Sequence, residues 1–114
     1  MNILKILQII AVIGTLLTGL VALFWPRNIQ GFTGLTAPGP RGISEFRAVF
    51  GGAFIGLGLA VLLLGTREVY QLLGIVYLAI GAVRSISMLV DKSIEQSNVI
   101  SLVTEVVFGL ILVL

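Results

Sequence analysis

Residues 69–90 read VYQLLGIVYLAIGAVRSISMLV, an apolar stretch in which Arg84 is the one charged residue. As a helix this stretch is about 30 Å long, which matches the hydrocarbon core of a bilayer. It shows no alternation of the kind a barrel strand needs. Tyr70, Tyr77, Arg84 and Asp91 recur every seven residues and therefore share one stripe of the helix. A spanning helix with an arginine on such a stripe must turn it towards other helices, because a charge at mid-helix costs about 2.5–3.5 kcal/mol on insertion scales.

Three further apolar runs flank this one. Ile6 to Trp25 is free of charge, Ala48 to Gly65 is likewise uncharged, and Ser97 to Leu114 is interrupted by Glu105. Only helices and closed barrels satisfy the backbone in lipid. The reading is a single transmembrane domain with helices at about 4–25, 44–65, 69–90 and 97–114, joined after the first by a Pro/Gly-rich loop at about 26–43. Connections at 65–68 and 91–96 are tight, so the fold class is all-α, a polytopic antiparallel bundle of four transmembrane helices. The first run outlasts a signal-peptide core and ends at Trp25-Pro26 without a small-x-small cleavage site.

Composition agrees. The chain has 114 residues and 12.1 kDa, with 58% hydrophobic and 11% charged residues and a mean hydropathy of +1.17. A soluble domain carries about 25% charge, and a chain this short buries too little to hide the difference. Cys and His are absent. That removes disulfides, thiolate or imidazole metal sites, haem ligation by either residue and histidine acid–base chemistry, so no cofactor or metal is expected. The net charge of +2 comes from scattered basic residues, which gives a nucleic-acid partner no support. Arg27, Arg41 and Lys92 outnumber Lys5 and Arg67 on the opposite face, so the positive-inside count puts both termini outside.

Two sets of residues are candidates for a role. Ala48, Gly52, Gly56 and Ala60 repeat every four residues, a small-xxx-small face that lets helices approach closely within one chain or between chains. Gly14, Thr18 and Ala22 form a similar series, and Gly74 and Gly81 lie one heptad apart. The second set is charged. Arg84 lies about 9 Å from the Val90 end of its helix and Glu105 about 12 Å into the next from Ser97, so threading brings them to similar depth. Glu45, Arg47 and Asp91 fall in the same half of the membrane. These five residues read either as a structural ion-pair network or as a polar pocket for a ligand.

The segment Glu45-Phe46-Arg47-Ala48-Val49-Phe50-Gly51-Gly52, followed by Gly56-Leu57-Gly58-Leu59, resembles a bacterial family of small four-helix integral membrane proteins catalogued as a domain of unknown function. The resemblance implies the four-helix architecture and gives Arg84, Asp91 and Glu105 places corresponding to the family's charged residues. It implies no reaction. With no nucleophile–base pair legible, the expected function is non-enzymatic: an accessory or packing subunit, or a self-associating bundle, multi-pass in the bacterial plasma (inner) membrane. Its partners would be the lipid bilayer and a second copy or larger membrane complex. The alternative is a carrier or binding protein for a small anion, lipid or quinone-like ligand, using Arg47, Arg84 and Glu105.

Overall fold

Prolines and glycines punctuate this chain. The computed structural model describes all 114 residues, Met1–Leu114, and its regular elements are all helical. Helix α1 (Ile3–Phe24) stops just before Pro26. Pro26 then opens α2 (Pro26–Thr33), since a proline at the first helical position has no N–H to leave unpaired. Gly34, at φ 78°, ends α2 in the left-handed region. Pro40 opens α3 (Pro40–Glu45), which passes into a π-helical segment, Phe46–Gly52, and then into α4 (Ala53–Leu64). Gly65, at φ 66°, makes the next turn, and the Thr66 hydroxyl accepts the Val69 N–H at 3.4 Å to start α5 (Arg67–Val90). A short turn through Asp91 and Lys92 leads to α6 (Gln96–Val113).

Four stretches are long and apolar enough to cross a membrane: Ile3–Phe24, Pro40–Leu64, Arg67–Val90 and Gln96–Val113. The segment read from the sequence as a loop, 26–43, holds the whole of α2 and the start of α3. Pro26 and Pro40 act there as helix starters, while Pro38 lies in the non-helical stretch between α2 and α3.

The chain divides into two compact units, Met1–Ala11 with Gly65–Leu114, and Val12–Leu64. In the first, α5 and α6 run antiparallel. Gly74 meets Gly109, and further along Gly81 meets Glu105 and Val106, so the partner number falls as the residue number rises. At Gly74 a Cβ would stand 2.9 Å from the Gly109 carbonyl oxygen, and the backbones approach so closely that neither position has room for a side chain. Leu73, Tyr77, Met88 and Leu112 are buried, and Tyr77 meets Phe108 edge-on with ring centroids 5.6 Å apart. The start of α1 belongs to this unit. Lys5 Nζ lies 3.8 Å from the Tyr70 ring centre, a cation–π contact.

The second unit contains another antiparallel pair. Gly19 of α1 packs against the Gly51 carbonyl and Ile55, and Leu16 fills the space over Gly58. Val12, Thr15, Ala22, Phe46 and Val61 are buried. The small-residue face read from the sequence, which suits contact within one chain or between chains, does not make this contact. Ala48, Gly52 and Gly56 are exposed and Ala60 is half-buried, with open space where a Cβ on Gly52 or Gly56 would lie. Gly51 and Gly58, a heptad apart, take the contact, and Ala48, Gly52 and Gly56 lie together on a face turned away from it. On α1, similarly, Thr15 and Gly19 are buried while Thr18 is exposed and bonds its own helix at Gly14.

Matched substitutions test this assignment. Gly74→Ala should lower the unfolding free energy in detergent by about 1–3 kcal/mol, because the new Cβ meets backbone that cannot move aside. Gly56→Ala, chemically the same change, should leave stability unchanged or raise it by up to about 1 kcal/mol. Equal damage at both positions in a circular-dichroism unfolding series would refute the packing described.

Candidate functional site

An ion pair joins α5 to α6. Arg84 Nε donates to Glu105 Oε1 at 2.7 Å and Nη2 donates to Oε2 at 2.7 Å, a two-pronged match of planar guanidinium to planar carboxylate. Arg84 Nη1 donates to Asn98 Oδ1 at 2.8 Å. Asn98 is itself held, its Nδ2 donating to the Ser93 carbonyl at 2.9 Å. Glu105 is 8% exposed. The Arg84 side chain retains 32% exposure.

Local structure explains the fit. Antiparallel threading sets Arg84 opposite the first turns of α6, and Asn98 and Glu105, seven residues apart, share the stripe that faces it. Gly81, one turn before Arg84, brings a Cβ-free surface against Glu105. That opens room for the arginine to reach across. Beside the pair lies an open groove of about 480 Å³, lined by Ala79, Ile80, Val83, Arg84, Ser87 and Asn98.

The other charged candidates do not join this network. Glu45 pairs with Arg41 on the exposed side of α3. Arg47 Nη1 donates to the Leu23 carbonyl at 2.7 Å, capping one of the last carbonyls of α1. Asp91 accepts the Ser87 hydroxyl at 2.7 Å. Glu45 and Arg47 belong to the unit Val12–Leu64, whereas Arg84, Asp91 and Glu105 belong to the other. Equal depth, read from spacing, fixes neither the direction in which a side chain leaves its helix nor the nearest carbonyl that can take its protons. A helix end is rich in such carbonyls, and Arg47 sits beside one.

Asn98 emerges as the third member of the site; its signal in the sequence is the heptad interval to Glu105. Gln8 donates to the Ile111 carbonyl at 3.1 Å near the end of α6. Gln71 similarly donates to Val113 at 3.3 Å. No group of three or more carboxylates is placed to hold a metal ion.

A family model described as "Domain of unknown function (DUF4345)" matches residues 3–114 of the chain. No curated protein and no solved structure matches it.

Removing one partner of a buried pair strands the other. Glu105→Ala should therefore destabilise the protein by about 3–5 kcal/mol. Replacing both groups with apolar residues of similar size, Arg84→Met with Glu105→Leu, should cost much less. Chemical unfolding of the detergent-solubilised variants measures both. A double variant as damaged as the single would show that the two charges are not coupled.

Proposed function

The chain belongs to this domain family of unknown function, and from that premise we propose that it is a non-enzymatic, multi-pass protein of the bacterial plasma membrane. It serves as an accessory subunit or a self-associating scaffold. The observation carrying this reading is the Arg84–Glu105 pair, in which both carboxylate oxygens are engaged by one guanidinium. A carboxylate so held is a poor general base, and a balanced pair in lipid favours one orientation of α5 against α6. The hydroxyls support the same reading. Thr18, Thr33, Ser85 and Thr104 each donate to the carbonyl four residues back, a common resting place for hydroxyls in membrane helices. What such a protein offers its partners is its surface, and the outward small-residue face at Ala48, Gly52 and Gly56 suits close approach by a second helix.

A second reading, a carrier or binding protein for a small anion, lipid or quinone-like ligand, draws support from the groove beside Arg84. Arg84 lines this groove, so in this reading it bears the recognition.

Exchanging the charges tests the structural role. Arg84→Glu or Glu105→Arg alone should abolish accumulation of folded protein in membranes, and the two together should restore it to near wild type. A failed exchange, combined with alanine variants at both positions that fold normally, would count against the structural reading.

A further inference from the structure

The groove beside Arg84 contains a hydrogen-bonding surface that the ion pair does not use up. A guanidinium has five N–H donors, and Glu105 and Asn98 take three of those on Arg84. The remaining two lie on a side chain that is 32% exposed and lines the groove. The other polar residues there are already engaged. Ser87 donates to Asp91, and Asn98 accepts from Arg84 while donating to Ser93. The rest of the lining, Ala79, Ile80 and Val83, is apolar, and Ala79 and Val83 are exposed. The groove thus combines a guanidinium that has two N–H groups to spare with an otherwise apolar lining.

Charge decides what such a trough can hold. Glu105 already neutralises Arg84, so an incoming anion would give the three groups a net negative charge in a low-dielectric medium. Depth disfavours an anion as well. Arg84 lies about 9 Å inside the end of its helix, and drawing a phosphate there would strip its hydration. An uncharged carbonyl oxygen has neither penalty. It accepts from the two remaining N–H groups while its apolar body lies along Ala79 and Val83.

We infer that this groove binds an uncharged carbonyl acceptor on an apolar body, either a quinone-type ring or the ester region of a neutral diacyl lipid, through N–H groups of Arg84 that Glu105 and Asn98 leave unused. This rests on the ligand reading of the site and, among anion, lipid and quinone-like ligand, sets the anion aside and names the neutral carbonyl as the group recognised.

The test uses the full chain in dodecyl maltoside, with native mass spectrometry as the readout. Four probes are titrated: decylubiquinone, dioleoylglycerol, its dialkyl ether counterpart without carbonyls, and an ether-linked phosphatidic acid carrying phosphate without carbonyls. Decylubiquinone or dioleoylglycerol should bind roughly tenfold more tightly than the ether glycerol, the size expected for losing charge-assisted hydrogen bonds. Whichever of the two binds identifies the source of the carbonyl. Ala79→Trp fills the groove without touching the ion pair, and it should abolish that preference while the circular-dichroism spectrum stays unchanged. Tightest binding by the ether-linked phosphatidic acid would overturn the neutral-acceptor inference and leave the ligand reading standing. Equal binding of the ester and ether glycerols without quinone binding, or binding indifferent to Ala79→Trp, would overturn the inference. If none of the four probes binds, the inference and the ligand reading fall together.

Discussion

The hydrocarbon of a bilayer supplies no hydrogen bonds, so a polar group that enters it must find a partner elsewhere, chiefly in the protein. Much of the polar detail in this chain follows from that scarcity. Hydroxyls fold back onto the carbonyls of their own helices. Gln8 and Gln71 donate to carbonyls near the end of α6, and Arg47 donates to one near the end of α1, the places where a helix has unpaired acceptors. Arg84 and Glu105 are the extreme case, two full charges that remain tolerable because each matches the other in shape and sign.

With so little hydrophobic incentive between helices in lipid, contact area and close approach must hold them together. Each unit meets this need with crossing glycines: Gly74 against Gly109 in one, Gly19 against Gly51 in the other. Larger residues then close over the gaps, Leu16 above Gly58 and Leu78 above Gly109. Charge and packing cooperate around α5 and α6, where Gly81 gives Arg84 the clearance to reach Glu105.

Four membrane-compatible helices could be read directly from the apolar runs, because length and the absence of charge are properties of the sequence alone. The contact between Arg84 and Glu105 was readable for a related reason: a tight turn and similar depth leave few alternatives. Packing faces were another matter. Spacing puts Ala48, Gly52, Gly56 and Ala60 on one stripe, but it does not tell which stripe of a helix meets its neighbour, and Gly51 and Gly58 make a rival one. The partners of Glu45, Arg47 and Asp91 were hidden for a different reason. Each satisfies itself within reach of its own side chain, on Arg41, the Leu23 carbonyl and Ser87, and depth carries no information about such local choices.

The widened turn at Phe46–Gly52 has a bearing on how such a chain can change over generations. In a uniform helix, inserting or deleting one residue swings everything beyond it to a new azimuth, and all contacts on that side are lost together. A π segment already carries surplus backbone, so it can shed a residue by tightening into an ordinary α turn. Here it separates the end that bears Arg41 and Glu45 from the end that bears Gly58. The two ends can consequently drift in rotational phase, one adapting to the water boundary and the other to its neighbouring helix, without forfeiting a continuous crossing.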